Sequence, residues 1–154
     1  MKNTLLIFLF LLPFTGWSQE DAFGPKKNDN LIIITTDTID REALNKAVKN
    51  LTDMGFTIKE KSGAKGTIKT DPYDFKKGKL TLNILIESNE LKIYGEFEQN
   101  LAFVSGADNP KPFKDKINYE GNKGSAMKEA WNIMDAYSNQ LTQVLKGSVS
   151  YAKW

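Results

Sequence analysis

Two runs of alternating residues, 79–87 and 90–98, flank the dipeptide Ser88-Asn89 and constrain the fold more than any other feature of this chain. If the dipeptide is the turn of a β-hairpin, Glu87 lies opposite Glu90 and the remaining pairs follow from it. One face then carries the pairs Ile86–Leu91, Ile84–Ile93, Leu82–Gly95 and Leu80–Phe97. The other carries Leu85–Lys92, Asn83–Tyr94, Thr81–Glu96 and Lys79–Glu98. A shift of one residue would set apolar against polar residues and is excluded, whereas a shift of two stays open. The pattern indicates an antiparallel sheet with one apolar face.

Two amphipathic helices supply apolar surface to cover that face. The first has apolar residues spaced by three and four, namely Ala43, Leu44, Ala47, Val48, Leu51 and Met54. Gly55 and Phe56 follow it as expected for a Schellman ending, with Gly55 left-handed and Phe56 against Leu51. The second helix is predicted from Ser125 to about Lys146, ending at Gly147. At about 1.5 Å per residue it is about 30 Å long, enough to cross a sheet.

Shorter strands complete the predicted sheet. They are 31–36, 56–59, 67–70, 101–104 and 116–119, with glycine- or proline-containing loops at 62–66 and 106–112. The predicted fold class is therefore α+β: a two-layer domain whose antiparallel sheet packs a first amphipathic helix and a long C-terminal helix on one face. The expected core residues are Ile32, Ile34, Leu44, Val48, Leu51, Phe56, Ile58, Ile68, Leu82, Ile84, Ile93, Phe97, Trp131, Met134 and Leu141.

The first eighteen residues have the pattern of a secretory signal peptide. Lys2 precedes an apolar run, and Gly16-Trp17-Ser18 resembles a small-residue cleavage site. The alternative is a retained anchor, but the run between Thr4 and Phe14 is shorter than the about 20 residues that cross a bilayer. We predict a signal peptide at 1–18, a flexible polar N-terminus at 19–30 and a single α+β domain at 31–154. The protein would be exported, to the periplasm or outside the cell, with no membrane span after cleavage.

The composition excludes several chemistries. The sequence contains no cysteine and no histidine, which removes disulfides, thiol nucleophiles, thiolate metal ligands and the commonest general base. The 21 basic and 19 acidic residues nearly balance, so we expect no nucleic-acid partner. We also expect no cofactor and no bound metal.

Four local groups invite a chemical interpretation, and each has a plainer one. They are Asp71 with Asp74, Glu96 with Glu98, the loop Gly63–Gly66 with its lysines, and Ser125 with Lys128. The acidic pairs could act as acid and base or bind calcium, but the Asp-x-Asp-x-Asp-Gly pattern is missing. The glycine loop precedes a strand and lacks the Gly-Lys-Ser/Thr ending of a phosphate loop, so a hairpin turn is favoured. Ser-x-x-Lys matches a penicillin-binding-protein dyad, but a helix N-cap explains it. We predict no catalytic residue and no enzyme.

Two resemblances to known families follow from the element order. The stretch 43–70, a helix followed by Gly55-Phe56-x-Ile58 and Gly66-x-Ile68-x-Thr70, resembles the helix-grip domains of bacterial envelope proteins. One of these is the outer-membrane-assembly lipoprotein that has two such domains, although this chain lacks the lipoprotein cysteine. Residues 31–146 more closely resemble small exported bacterial proteins of unknown function with a TATA-binding-protein-like (TBP-like) fold. The shared features are the signal peptide, the element order and the long final helix. The resemblance implies a fold and a compartment, and no catalytic residues.

The predicted function is that of a non-catalytic binding or scaffold module of the cell envelope, with another envelope protein as partner. The alternative is a carrier that holds a small apolar ligand between the sheet and the C-terminal helix. A carrier should show an apolar cavity of about 300 Å³ or more. Large core side chains such as Trp131 favour a filled interior, and therefore the scaffold.

The candidate partner-binding surface consists of five apolar or aromatic residues: Leu85, Tyr94, Phe113, Tyr151 and Trp154. Leu85 and Tyr94 lie on the mostly polar face of the hairpin, Phe113 ends a proline-containing loop, and the other two belong to the C-terminal tail. Tyrosine and tryptophan are enriched in binding hot spots. The alternative is that Tyr94 covers its neighbours and Trp154 folds back onto the sheet edge.

Overall fold

A computed structural model describes residues 24–37, 41–99, 113–120, 122 and 124–154. The elements in chain order are β1 (Leu31–Thr35), α1 (Arg41–Asp53), β2 (Ile58–Ser62), β3 (Thr67–Thr70), β4 (Tyr73–Phe75), β5 (Gly78–Glu87), β6 (Glu90–Gln99), β7 (Phe113–Lys116), α2 (Ala126–Leu145) and β8 (Ser148–Ala152). The predicted signal peptide, the predicted strand 101–104 and the loop 106–112 lie outside the described residues.

The eight strands form one antiparallel sheet under two helices. The strand order is β2-β3-β5-β6-β1-β8, with β4 beside β5 and β7 beside β6. Helix α2 packs on β6, β1, β8 and β5, and α1 packs on α2 and on β2. We call the face beneath the helices the inner face and the opposite one the outer face. The predicted two-layer α+β fold is confirmed.

The register of the β5–β6 hairpin is the predicted one. Leu82 lies opposite Gly95, and Ile84 lies opposite Ile93. The register is therefore not shifted by two residues, the alternative that the sequence left open. Inner-face residues from Leu80 to Ile84 are buried, whereas the residues between them are half-buried. Alternation of burial with a period of two is the expected result for a sheet covered on one side.

Both helices end in a Schellman motif. The left-handed residue is a glycine after α1 and a lysine after α2. After α1, Gly55 has φ +88°, and the Phe56 N–H donates to the Leu51 carbonyl over 3.0 Å. After α2, which was predicted to end at Gly147, the left-handed residue is Lys146, with φ 54°. Gly147 is needed for another reason: a Cβ there would lie 2.6 Å from the Thr35 carbonyl oxygen. Close approach to β1, and not a positive φ, requires glycine at this position.

The core between sheet and helices contains the predicted residues with two exceptions. Val48 and Ile58 are half-buried and pack against the core from its margin, Ile58 because it belongs to the edge strand β2. The core also contains residues that the prediction omitted: Ala47, Leu80, Leu91, Ile117, Ala126, Met127, Ala130 and Tyr137. Ile117 fills the space above Gly95, where an added Cβ would lie 2.5 Å from its Cδ1 atom.

Two strand predictions near the C-terminal half were wrong. The strand predicted at 116–119 lies at Phe113–Lys116, because the chain then leaves β6. Ile117 still donates to the Gly95 carbonyl over 2.9 Å, but the Tyr119 N–H donates to Asp29 over 2.7 Å. The predicted element order ended with the C-terminal helix and therefore omitted β8, which follows α2 and pairs with β1.

Residues 28–30, within the segment expected to be flexible, take part in the backbone hydrogen-bonding of the domain. The Asn28 N–H donates to the Tyr119 carbonyl over 3.0 Å, and the Asn30 N–H donates to the Ala152 carbonyl over 3.0 Å. The segment before β1 therefore connects the residues that follow β7 to the end of β8.

Candidate binding surface

The outer face of the sheet is uncovered by helices in the part of the chain that the structure describes. The register places one row of residues across five strands of this face: Ser150, Ile33, Lys92, Leu85 and Thr67. Ile33 and Leu85 are half-buried, so the middle of the face is lightly apolar. Tyr94 lies in the next row, opposite Asn83.

An aromatic pair stands on this face. The rings of Tyr94 and Trp154 meet edge to face, with centroids 4.6 Å apart and planes at 73°, a favoured aromatic geometry. The Trp154 backbone N–H donates to Asn30 Oδ1 over 2.6 Å, and Asn30 Nδ2 donates to the Trp154 carbonyl oxygen over 3.4 Å. Although its backbone is held in this way, the Trp154 residue is 58% exposed.

One groove lies beside the aromatic pair, and a second adjoins the first at Glu96 and Lys116. The first, of about 200 Å³, is lined by Asn30, Tyr94, Gly95, Glu96, Lys116 and Trp154. The second, of about 330 Å³, runs along β5, β6 and β7, where charges of both signs alternate. Within it Lys114 Nζ and Glu98 Oε2 form an ion pair of 2.9 Å. The surface therefore combines an aromatic centre with a charged margin, an arrangement typical of protein interfaces.

The side chain of Lys92 lies in the apolar middle of the outer face, and its charge is paired with two glutamates beside the β5–β6 turn. Its Nζ lies 2.8 Å from Glu87 Oε2 and 3.8 Å from Glu90 Oε2. The hydrogen bond to Glu87 is the main reason that the pKa of Lys92 is raised. Its ammonium group stays charged and paired at the tip of the hairpin, so its stem can lie between Ile33 and Leu85 as apolar surface.

The five predicted surface residues do not form one patch. Leu85 and Tyr94 lie on the outer face as expected, and Trp154 has folded back onto Tyr94. Phe113 begins β7, is 48% exposed, and contacts Phe97, an inner-face residue, with ring centroids 6.1 Å apart. The structure thus brings together Tyr94 and Trp154, with Leu85 on the same face.

Tyr151 differs from the others in this set, because it is half-buried on the inner face of the sheet, opposite Ile32. In β8 it alternates with exposed Ser150, and its ring lies 6.0 Å from that of Trp131 in α2. Its hydroxyl donates to Asp135 Oδ1 over 2.8 Å. Burial, and secondarily this hydrogen bond, raise the pKa of Tyr151. Tyr151 therefore joins β8 to α2 and does not lie on the outer face with Tyr94 and Trp154.

Several of the groups considered for chemistry have structural partners. Ser125 Oγ accepts from the Lys128 N–H over 3.0 Å, which is the N-cap of α2, while Lys128 Nζ lies 3.9 Å from the centre of the Tyr119 ring. Glu98 pairs with Lys114, and Asp74 lies 3.6 Å from Lys79 Nζ. The described residues contain no cluster of three or more carboxylates suited to a metal ion.

Large side chains fill the space between α2 and the sheet. Trp131, Met134, Tyr137 and Leu141 are at most 1% exposed. The Tyr137 hydroxyl, buried among them, donates to the Ala47 carbonyl of α1 over 3.3 Å, and burial raises its pKa. Side chains packed in this way leave little room for a ligand at the position where a carrier would hold one.

The sequence analysis predicted neither the role of Asn30 nor the strand β8. Of the two, only β8 has a recognisable pattern in the sequence. Residues 148–152 alternate between small polar and apolar side chains after Gly147, the sign of a half-buried strand. Asn30 has no local pattern, because its partner Trp154 lies 124 residues away.

Comparisons with known proteins leave the chain without an assigned family. It matches no model of a protein family, and no curated protein matches it either. None of the helices in the described residues is both long enough and apolar enough to cross a membrane.

Proposed function

We propose that this protein is a non-catalytic binding module of the bacterial cell envelope, which docks another envelope protein on the outer face of its sheet. The observation that supports this best is the aromatic pair of Tyr94 and Trp154. Trp154 is 58% exposed although two hydrogen bonds to Asn30 hold its backbone. A large side chain that is already held in place loses little conformational entropy on binding.

The surroundings of the pair suit a protein partner. Half-buried Ile33 and Leu85 supply apolar contact area beside it, and the row of charges along Glu98 and Lys114 supplies a polar margin. Fixed aromatic anchors within a polar rim are the usual composition of a binding hot spot. The envelope as location rests on the predicted signal peptide at 1–18, and the TBP-like and helix-grip resemblances imply the same compartment.

The test compares Tyr94→Ala and Trp154→Ala with Val144→Ala. Val144 is a matched control, since it is an apolar residue of α2 that is 47% exposed. The exported chain is used to capture partners from an envelope extract of its host, and the captured protein is then purified and titrated alone. We expect both aromatic variants to bind it at least about tenfold more weakly, a loss of about 1.4 kcal/mol or more, and Val144→Ala to bind it normally.

Stability measurements keep this test interpretable. An aromatic pair adds about 0.5–1.5 kcal/mol beyond its buried area, so neither aromatic variant should lose more than about 2 kcal/mol of unfolding free energy. A greater loss would show that the pair is internal packing and would refute the docking proposal. Equal partner binding by all variants would refute it too. Native mass spectrometry of the exported chain addresses the carrier alternative, because a retained apolar ligand would support that function instead.

A further inference from the structure

Four strands of the described sheet have an edge without a neighbouring strand: β2, β4, β7 and β8. Such an edge pairs with another chain unless charges, a bulge or short length prevent it. Strand β2 carries charged residues at 59–61 and a register shift after Ile58. Strand β7 carries charged residues at 114–116, and β4 has three residues, one of them Asp74. These three edges are protected.

Strand β8 lacks each of these protections. Ser148–Ala152 contains no charged residue and no proline, and its register with β1 is unbroken over all five residues. Ser148 and Ser150 are exposed. The edge is therefore a regular, uncharged strand whose outer backbone groups have no strand partner among the described residues.

The helix above this edge is also nearly uncharged. Between Trp131 and Leu145, Asp135 is the one charged residue. Asp135 accepts hydrogen bonds within the chain, from the Tyr151 hydroxyl over 2.8 Å and from Asn139 Nδ2 over 3.1 Å. Asn132 and Asn139 are exposed. Because amide side chains both donate and accept hydrogen bonds, this surface can complement a second copy of itself.

We propose that two copies of this chain associate by antiparallel pairing of their β8 strands, which makes one continuous sheet across a two-fold axis. This contact lies at the sheet edge and is separate from the outer-face docking proposed above. An axis at Ser150 places Val149 opposite the partner's Tyr151 and uses all five residues of each strand. A shift of one residue would place inner-face residues opposite outer-face residues, so it is excluded.

The size of such a contact predicts a weak dimer. Five residues at about 3.4 Å extend about 17 Å. A strip of this length across the sheet and helix layers buries less than the about 800 Å² per copy of a standard interface. The dimer should therefore dissociate on dilution.

Analytical ultracentrifugation over a range of protein concentrations tests the proposal. The variant Ser150→Lys places a lysine opposite the partner's lysine, and we expect its dimer dissociation constant to rise at least about tenfold. Ser88→Lys is the matched control, because Ser88 is also exposed but lies in the β5–β6 turn. Wild-type protein that stays monomeric throughout, or equal weakening by both variants, would overturn the proposal.

A second variant tests the register directly and does not depend on the lysine variant folding. The chain has no native cysteine, so Ser150→Cys introduces a single thiol. Opposed residues of antiparallel strands have Cα atoms about 4.5–5.5 Å apart, within the range of a disulfide. Mild oxidation should link Ser150→Cys into a covalent dimer much faster than Ser88→Cys. Equal rates, or no linkage, would overturn the pairing.

Discussion

Substituting Gly95 by alanine tests the packing of the sheet where β6 meets the chain after β7. An added Cβ would lie 2.5 Å from Ile117 Cδ1 and 3.3 Å from both Leu82 Cδ2 and the Thr81 carbonyl oxygen. Ile117 is fully buried, so its side chain cannot move into solvent. Overpacking a core costs about 1–3 kcal/mol, and replacing a strand glycine by alanine returns about 0.5–1 kcal/mol. We expect a net loss of unfolding free energy of up to about 2.5 kcal/mol, with a central value of about 1 kcal/mol.

The partner substitution is Ile117→Val, which deletes the Cδ1 atom that the new methyl group would meet. Alone it should cost about 0.5–1.5 kcal/mol, as isoleucine-to-valine changes in cores do. In combination with Gly95→Ala the two changes compensate, because the added atom occupies the space of the deleted one. We expect the double variant to be more stable than the sum of the single losses predicts, by about 1 kcal/mol or more.

Urea denaturation of the four proteins measures this coupling, provided that their m-values agree. Gly63→Ala is the control for the substitution itself, because an added Cβ at Gly63 meets no atom within 4 Å. It should be neutral or stabilising by less than about 1 kcal/mol. Single losses that add to within about 0.5 kcal/mol in the double variant would refute the packing argument.

Three further predictions concern the core, the N-cap of α2 and the buried Tyr137. Ile84→Ala on the inner face should cost about 2–5 kcal/mol, whereas Leu85→Ala on the outer face should cost clearly less in the same urea experiment; equal losses would mean that the faces are assigned wrongly. Ser125→Ala should cost about 0.5–2 kcal/mol, and Ser125→Asp should restore most of it in thermal denaturation, whereas no loss would contradict the cap. Burial raises the pKa of Tyr137 above its usual 10.0, so folding favours the neutral phenol; the resulting stability is complete below about pH 10 and falls as the pH rises further. Tyr137→Phe should therefore lose less unfolding free energy than wild type between about pH 9 and 11, and identical pH profiles would contradict this.

The parts of the fold that local rules determine could be predicted from the sequence. Alternation on both sides of Ser88-Asn89 determines the β5–β6 register, because a wrong register would bury polar residues. Likewise, Gly55 and Phe56 after α1 identify the helix end, since the Schellman motif is completed within a few residues.

The parts that depend on distant contacts could not be predicted. Nothing near Asn30 indicates that its side chain holds Trp154, and nothing near Tyr151 indicates Asp135 as its partner. Lys146 takes a left-handed conformation although glycine is the next residue, and Gly147 is instead required by its close approach to Thr35. The partner-binding prediction combined an outer-face residue, Tyr94, with an inward one, Tyr151, since the period of β8 was not recognised.

The pairing of β1 with β8 determines when the sheet can be completed. Strand β1 precedes every other element of the described chain, yet one of its two neighbours is the element that follows all the others. Contacts between such distant segments carry a large loop-closure entropy and slow the folding of a domain. During synthesis, one edge of β1 therefore stays unpaired until β8 has left the ribosome. If the predicted signal peptide at 1–18 directs export, this delay would keep the nascent polypeptide unfolded, as transport of an unfolded chain requires, until β8 has been synthesised.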